Sequence, residues 1–359
     1  MKKFVVIISA LFSLNVYAAN PWNCVNALGV SDSNNPNTAG CENSSSDTSV
    51  PKPVVTPNPK DDSSEKVTAT NSLAMMYISN RNSIAQCKLN ANGVNLFTCS
   101  NLTPSKTTAA DYHDAKGMIS ANNMLYVTNS WNYITMCKVN QNGVDVNTCN
   151  KVKVEGDDID HPVIINNDLL YTSRSKIYRC AIASNGLVDN SKCTGFTMGD
   201  DKRILGLTIA NNMVYLIQDG GGYQKPSSLV QCKLSDSGID TSSCTTSTPS
   251  GVGELVDTQN IYVNNSNAFI TNNKNITQCS VKNGSISVDS CQNYSINDED
   301  RLSATYVYNN KLYAVNDDYS PGKLFQCNLR GNALDASSCK TLSPGGDNQL
   351  LYTHSLIIQ

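Results

Sequence analysis

Residues 118–149 read MISANNMLYVTNSWNYITMCKVNQNGVDVNTC, and they show most clearly the unit from which the fold is built. It contains four short runs rich in β-branched and aromatic residues, at 118–120, 124–129, 133–139 and 144–149. Asn122-Asn123 and Gly143 stand in two of the intervening turns, where a tight hairpin needs left-handed backbone that Asn and Gly tolerate. The stretch therefore predicts four antiparallel strands, which we call A, B, C and D.

The cysteines of this stretch belong to a repeat that runs through most of the chain. Twelve of the fourteen cysteines form six similar pairs, and the first cysteines of successive pairs lie 50, 43, 52, 47 and 48 residues apart. That period is the length of a four-stranded propeller blade. We therefore expect an all-β, six-bladed β-propeller with four antiparallel strands per blade. The pairs are Cys87–Cys99, Cys137–Cys149, Cys180–Cys193, Cys232–Cys244, Cys279–Cys291 and Cys327–Cys339.

Each pair is predicted to form a disulfide within its own blade. An even number of cysteines in an exported chain is typical of a disulfide framework, and no Cys-x-x-Cys cluster suggests a thiolate metal site. Most pairs are twelve residues apart with a turn glycine near the middle, so both sulfurs are expected to meet across the C–D hairpin. Cys24 and Cys41 remain and are predicted to pair with each other.

The two ends of the repeat array predict how the ring closes. The first copy has B, C and D strands but only polar sequence where its A strand should be, whereas the chain ends on an unpaired A-like run, 354–359. We expect this C-terminal strand to complete blade 1, which would leave no open edge between the first and last blades. The propeller would then occupy residues 68–359.

The sequence before the propeller divides into three predicted segments. Residues 1–18 resemble a secretory signal peptide, with two lysines, an apolar run and small residues before the expected cleavage point. Residues 19–41 form a short segment closed by Cys24–Cys41, and residues 42–67 form a linker rich in Pro, Ser and Asp. No later run is long and apolar enough for a transmembrane segment. We expect a bacterial protein that is periplasmic or secreted.

Charge and motifs exclude several classes of function. The net charge of -3 and the absence of a basic patch do not favour nucleic acid as a partner. No nucleophile elbow, phosphate loop, dinucleotide fingerprint or zinc-protease motif is present. We therefore expect a binding protein rather than an enzyme.

Strand B of the second copy carries a resemblance to a known group. The run LYVTN at 125–129, with weaker versions at 76–80 and 312–316, resembles the repeat of the YVTN-type bacterial β-propellers. Members of that group are mostly exported or surface proteins, and related propellers include lactonases and other hydrolases. The resemblance implies the fold, while the paired cysteines depart from the common pattern and no catalytic residue is carried onto this chain.

The D–A connections, which should surround the mouth of the central channel, are acidic in every repeat. Asp158, Asp201 and Asp300 are the candidate ligand-binding carboxylates among them. A ring of carboxylates at a narrow mouth attracts a divalent cation or a cationic ligand group. The alternative is that these residues simply form turns.

The three histidines are the candidate metal ligands. His113, His161 and His354 all precede an A strand, in blades 2, 3 and 1, which are neighbours in the predicted ring. Together with carboxylates, imidazoles could hold calcium or zinc at the channel mouth or act in acid–base chemistry. The alternative is that they are ordinary polar residues at the solvated rim of the channel.

Aromatic residues in the variable B–C loops are the candidate recognition residues. Trp131, Tyr133, Tyr223 and Tyr319 lie in or beside these loops. Aromatic side chains presented by a rigid frame are suited to anchoring a protein, peptide or glycan partner. We expect recognition of such a partner through the channel face, with a metal-dependent hydrolase of lactonase or esterase type as the alternative.

Overall fold

The computed structural model describes residues 74–104, 112–198, 201–221, 225–235, 238–264, 266–296, 301–317, 321–345 and 349–359. The chain divides into two units, Met1–Ser72 and Leu73–Gln359, and the described residues all belong to the second. The predicted signal peptide, the Cys24–Cys41 segment and the linker 42–67 lie outside them. No helix among the described residues has the length and apolar character needed to cross a membrane.

The described strands form six antiparallel sheets, which are the six predicted blades. Strands A to D follow one another across each sheet, from the channel to the outer edge. In chain order the strands are β1 (Met75–Asn80), β2 (Ser83–Asn90) and β3 (Gly93–Leu102) in blade 1; β4 (Ala115–Ala121), β5 (Met124–Asn129), β6 (Tyr133–Asn140) and β7 (Gly143–Lys153) in blade 2; β8 (Ile159–Ile165), β9 (Asp168–Ser173), β10 (Lys176–Ala181) and β11 (Thr194–Thr197) in blade 3; β12 (Ile204–Ala210), β13 (Met213–Gln218), β14 (Ser228–Ser235) and β15 (Gly238–Ser247) in blade 4; β16 (Thr258–Val263), β17 (Asn267–Asn272), β18 (Asn275–Lys282), β19 (Ser285–Ile286) and β20 (Gln292–Ser295) in blade 5; and β21 (Leu302–Tyr308), β22 (Lys311–Asn316), β23 (Leu324–Arg330) and β24 (Ala333–Leu342) in blade 6.

The C-terminal strand closes the ring as predicted. Strand β25 (Leu356–Ile358) pairs with β1, and Ile357 lies opposite Tyr77. The innermost strands contact one another in the order β25, β4, β8, β12, β16, β21 and back to β25. The channel is therefore surrounded by one A strand from each blade, and that of blade 1 comes from the other end of the repeat array.

The hydrophobic core is divided into six layers, one between each pair of neighbouring blades. In strand β5, Leu125 and Val127 pack with Tyr77 of blade 1, whereas Tyr126 packs with Tyr171 of blade 3. Because successive side chains of a strand point to opposite faces, each B strand contributes to two layers at once. This explains why the B strands are nearly continuous apolar runs and not alternating ones.

The A–B turns have the backbone that their asparagines predict. Asn122 and Asn123 both have positive φ, at 50° and 59°, and Asn211 and Asn212 repeat this at 54° and 57°. Two consecutive left-handed residues are the pattern of a tight hairpin turn that matches the twist of its strands.

All six predicted blade disulfides are present, and in blades 1, 2, 4 and 6 a bulge in the C–D hairpin accompanies them. In blade 1, Lys88 pairs with Asn95, so an uninterrupted ladder would place Leu96 opposite Cys87. A bulge in β3 shifts the register and brings Cys99 to Cys87 instead. Twelve-residue spacing therefore reflects a bulged hairpin rather than the regular one that the sequence suggests.

A hydroxyl side chain closes this bulge. Thr98 Oγ1 donates to the carbonyl of Asn95 at 2.7 Å and accepts from Lys88 N at 2.9 Å. In blades 3 and 5 a short 3-10 helix leads into the second cysteine instead: Asn190–Lys192 before Cys193, and Val288–Ser290 before Cys291. The equivalent hydroxyls in the other blades are those of Thr148, Ser243, Ser290 and Ser338.

Glutamine side chains join several neighbouring blades. Gln278 of blade 5 donates from Nε2 to the carbonyl of Asn332 at 2.8 Å and accepts from Leu334 N at 2.9 Å. One amide thus satisfies both a donor and an acceptor in the C–D turn of blade 6. Gln86 and Gln326 make the same contact from blades 1 and 6, whereas Gln231 of blade 4 makes both of its bonds to the backbone of Ile286 in blade 5.

Candidate functional site

The D–A connections and B–C turns meet at one end of the channel, which we call the channel face. Ala115 N, at the start of strand A in blade 2, donates to the carbonyl of Arg81 in the B–C turn of blade 1 at 2.8 Å. Ile204 N makes the same bond to Arg174 across blades 3 and 4, at 2.7 Å. These backbone bonds hold loops of neighbouring blades beside one another around the channel mouth.

Two cavities open on the channel face, with volumes of about 340 and 520 Å³. Both are lined by Lys116, Arg301, Asp317 and His354, so they meet there, and we call them together the vestibule. Their volumes fall within the range of small-ligand sites, about 300–1,000 Å³. The smaller, called the blade 3–5 lobe, is also lined by Asp160, Arg203, Leu205, Asp219, Lys225, Ser227, Asp257 and Gln259, and the larger, called the blade 1–2 lobe, by Arg81, Asn82, His113, Asp114 and Tyr352.

The vestibule carries charges of both signs, because basic side chains line it beside the carboxylates of the D–A connections and B–C loops. Arg301 lies 2.6 Å from Asp317 and 3.3 Å from Asp257, and its guanidinium joins blades 5 and 6. Arg203 lies 2.9 Å from Asp158, across blades 3 and 4. Basic residues from neighbouring blades therefore neutralise several carboxylates of the D–A connections.

His354 lies between two carboxylates at the junction of the lobes. Its Nε2 is 3.7 Å from Asp114 Oδ1, and its Nδ1 is 3.9 Å from Asp317 Oδ1. The contact with His354 lowers the pKa of Asp114 well below its usual range, and Ser130 Oγ, which donates at 2.8 Å, and Lys116 at 3.2 Å act in the same direction. Asp114 is therefore ionised at any physiological pH.

Below the vestibule the channel narrows to a cavity of about 100 Å³ lined by A strands of all six blades. His161 lines its wall with 11% of its side chain exposed, and burial lowers the pKa of its imidazole although Asp160 acts in the opposite direction. Tyr262 and Tyr306 pack with ring centroids 4.9 Å apart, and burial raises the pKa of both phenols. The channel wall is therefore uncharged at neutral pH below the level of Asp160.

Trp131 is exposed and held in an unusual backbone conformation beside the blade 1–2 lobe. Its φ is 68°, the following Asn132 has φ 65°, and 68% of the tryptophan is exposed. Its ring stacks on His113, with centroids 4.0 Å apart. Nδ1 of His113 is buried and has no hydrogen-bond partner among the described residues.

The remaining predicted site residues lie in different settings. The ring of Tyr133 is covered by Lys151 Nζ at 4.2 Å, and Asp158 is engaged by Arg203. Asp201 is exposed and lines neither lobe of the vestibule. Tyr223, Tyr319 and Asp300 lie outside the described residues.

The cations of the vestibule were missed by sequence reasoning, although a signal was available. Arg203 and Arg301 occupy the repeat position immediately before strand A, where blades 2, 3 and 5 have Asp114, Asp158 and Asp257. An alignment of the repeats at this one position reveals both acidic and basic residues, with Asp in three blades and Arg in two.

The predicted histidine cluster is divided between two cavities. His113 and His354 line the blade 1–2 lobe, while His161 and His354 line the channel beneath. Within the described ranges, no three His, Cys, Asp or Glu side chains come together in a way that could hold a metal ion. A calcium or zinc site at the mouth stays a prediction.

Comparison with known proteins supports the fold and nothing narrower. No protein-family model matches the chain, and none of the curated proteins matches it. Solved structures that resemble it are β-propellers, so the chain is a β-propeller protein of the six-bladed, disulfide-containing kind described above. At about one residue in ten identical, the likeness to these structures shows the fold alone.

Three of these structures illustrate the likeness. A candidate 6-phosphogluconolactonase from Bacteroides fragilis is 11% identical, with a TM-score of 0.54 over 81% of this chain and 99% of that chain. A chain of a nidogen–laminin complex is 9% identical, with a TM-score of 0.58 over 79% and 98%. A protein from Lactobacillus plantarum is 11% identical, with a TM-score of 0.53 over 80% and 99%.

Proposed function

We propose that this β-propeller is an exported binding protein that recognises a protein, peptide or glycan through the vestibule on its channel face. Six blade disulfides are typical of proteins that act outside the cytoplasm, which supports a periplasmic or secreted location. Among possible ligands, a peptide segment fits best, because the vestibule offers charges of both signs beside an aromatic surface.

The observation that carries the proposal is the conformation of Trp131. A bulky residue with positive φ costs on the order of 1–3 kcal/mol, whereas Gly or Asn would adopt this conformation readily. Burial does not offset that cost, because 68% of the tryptophan is exposed. A strained, exposed aromatic residue stacked on His113 at a cavity edge is instead suited to contact a ligand.

The frame around Trp131 supports recognition by a preformed site. Disulfides and glutamine contacts hold the blades and their C–D turns in place. A site that is already ordered loses little conformational entropy when a ligand binds. The nidogen–laminin structure shows that an architecture of this kind occurs in a complex between proteins, which is consistent with the proposal.

The proposal is tested by defined arrays of peptides and glycans, probed with the wild-type protein and with Trp131→Ala. Phe97→Ala is the matched control, because Phe97 is a fully exposed aromatic on the D strand of blade 1 and lines neither lobe. We expect ligands whose capture is lost in Trp131→Ala and kept in Phe97→Ala. If no captured ligand depends on Trp131, the proposed function is wrong.

A metal-dependent hydrolase of lactonase or esterase type is the second candidate, and His354 is the observation that favours it. An imidazole between the carboxylates of Asp114 and Asp317, facing a cavity, is an arrangement that can move a proton. Elemental mass spectrometry of untagged protein and lactone-hydrolysis assays test this candidate. A stoichiometric metal and turnover that are both lost in His354→Ala would favour it over binding alone.

A further inference from the structure

We propose that the vestibule takes a dipolar ligand, namely a short peptide with both termini free. Its ammonium group would lie in the blade 3–5 lobe near Asp160 and Asp219, and its carboxylate would lie in the blade 1–2 lobe near Arg81. This inference rests on the proposed function and specifies the ligand class of the same site. The evidence for this inference is that some charged groups of the vestibule already have ion-pair partners among the described residues and others do not.

The blade 3–5 lobe has an excess of unneutralised carboxylate. Asp219 Oδ1 accepts from Gly221 N at 3.2 Å, and Asp160 Oδ1 accepts from His161 N at 2.7 Å. Neither carboxylate has a lysine or arginine of the described residues within ion-pair distance. The exposed Lys225 lines the same lobe and can neutralise one of these two carboxylates. One negative charge then remains.

The arginines of this lobe do not change that balance. Arg203 is engaged by Asp158, and Arg301 is shared between Asp257 and Asp317. Arg301 thus faces two carboxylates with one positive charge. A cationic group entering the lobe would find carboxylate oxygens available as acceptors, and such charge-assisted hydrogen bonds are stronger than neutral ones.

The blade 1–2 lobe has the opposite excess. Arg81 lies over the ring of Tyr352, 5.0 Å from its centroid, and no carboxylate of the described residues is within ion-pair distance of it. Lys116, in contrast, is neutralised by Asp114 at 3.2 Å. The guanidinium of Arg81 is therefore available to bind a carboxylate through two parallel hydrogen bonds.

The separation of the two charged regions determines the kind of dipole that fits. Arg81 belongs to blade 1 and Asp219 to blade 4, and these blades are opposite each other in a ring of six. A free amino acid carries its two charges on one carbon atom and cannot reach both lobes. A peptide of a few residues extends by about 3.3–3.6 Å per residue and can reach both.

The test uses the full chain with Trp22→Phe, which leaves Trp131 as the one remaining tryptophan of the sequence. Its fluorescence then reports binding beside the blade 1–2 lobe. The probe is the tripeptide Ala-Leu-Ala, titrated in four forms: unblocked, N-acetylated, C-amidated and blocked at both ends. We expect the unblocked form to bind most tightly and each blocking group to weaken binding by about tenfold or more, the loss of one charge-assisted contact.

Variants in this background assign each end of the peptide. Arg81→Gln should weaken binding of the forms with a free carboxylate and leave the C-amidated form unaffected, while Arg81→Lys should retain part of the preference. Asp160→Asn and Asp219→Asn should weaken binding of the forms with a free amine and leave the N-acetylated form unaffected. Thermal melting confirms that each variant is folded.

The outcomes separate this inference from the proposed function. If the four forms bind equally, or if the variants affect the opposite ends, the dipolar inference is overturned, although array binding that depends on Trp131 would still support recognition. If no form binds at millimolar concentration, the peptide class is overturned. The proposed function is then decided by the array result alone.

Discussion

The side-chain amide of Gln86 is hydrogen-bonded to Val144 in the next blade: its Oε1 accepts from Val144 N at 3.0 Å, and its Nε2 donates to the carbonyl of Asn142 at 3.0 Å. Gly143 lies between these two groups, with φ 105°, and a Cβ added there would lie 2.0 Å from Gln86 Oε1. The turn glycine is therefore required for the close approach of the glutamine as well as for its backbone conformation.

Removing this contact should destabilise the propeller. We expect Gln86→Ala to lower the free energy of unfolding by about 1–3 kcal/mol, because a donor and an acceptor in the turn of blade 2 lose their partner. Urea unfolding measures the change. Gln141→Ala is the control, since Gln141 is exposed in the same turn and should change stability by less than about 0.5 kcal/mol. Equal effects of the two substitutions would contradict the role of Gln86.

The C-terminal strand should be essential to the ring. A chain that ends at residue 353 loses β25, whose Leu356, Ile357 and Ile358 are buried in the layers on both sides of blade 1. It also exposes the edge of β1. We expect loss of cooperative thermal unfolding, measured by circular dichroism. Gln359→Ala is the control, because it keeps both backbone hydrogen bonds to Met75 and removes only an exposed side chain and its bond to Ser120. A truncated chain that still melts cooperatively near the wild-type temperature would show that ring closure is dispensable.

Each blade disulfide should stabilise its hairpin. In the chain-entropy view a cross-link closing a loop of this size contributes about 3 kcal/mol, because it restricts the unfolded chain. We expect the double variant Cys137→Ala, Cys149→Ala to show a loss of that order by denaturant unfolding. The change Thr148→Val removes the hydroxyl that closes the same bulge and should cost less, about 1 kcal/mol, with the disulfide intact. A double variant as stable as wild type would contradict the structural role of the disulfide.

The buried His161 should make the protein less stable in mild acid. Burial lowers its pKa in the folded state, so below about pH 6.5 the unfolded chain binds a proton that the folded chain does not. Stability contributed by the neutral imidazole is therefore present above that pH and is lost as pH falls toward the folded-state pKa. The free energy of unfolding is measured from about pH 7.5 to 5, a range that includes the pKa of an unfolded histidine. Its slope against pH measures the effect.

His161→Asn is the matched variant for this experiment. Asparagine tolerates the positive φ of 46° at this position and does not titrate. Its stability should fall less steeply with acidification than that of the wild type, and the difference isolates His161 from the other two histidines. Parallel curves for the two proteins would contradict titration of a buried imidazole.

The fold could be predicted from the sequence because its signals are local and repeated. The asparagines of the A–B turns, the glycines of the C–D turns and the cysteine pairs each mark the same place in successive units. The closing strand β25 was predictable for the same reason, since one A strand was missing at one end and one was left over at the other. The bulge that brings Cys99 to Cys87 was not predictable, because it depends on the register in which β2 and β3 pair beyond Lys88.

The candidate site was predictable only as a location. Sequence reasoning identified the D–A connections, His354 and Trp131, but it treated the mouth as acidic. The pair Asp158–Arg203 joins residues 45 positions apart on different blades, and Arg301 contacts Asp257 and Asp317 from two different connections. Such contacts depend on the angle between blades, which no local pattern specifies.

Periodicity and turn chemistry within about fifty residues specify the number of blades, the order of strands and the blade disulfide pairs, and the unmatched strands at the two ends of the array specify how the ring closes. Which charges neutralise one another, and which remain for a ligand, depends instead on how the folded blades pack. Those pairings are made across blade boundaries, where residues distant in the chain come within hydrogen-bonding distance, and the balance of charge at the vestibule follows from that packing.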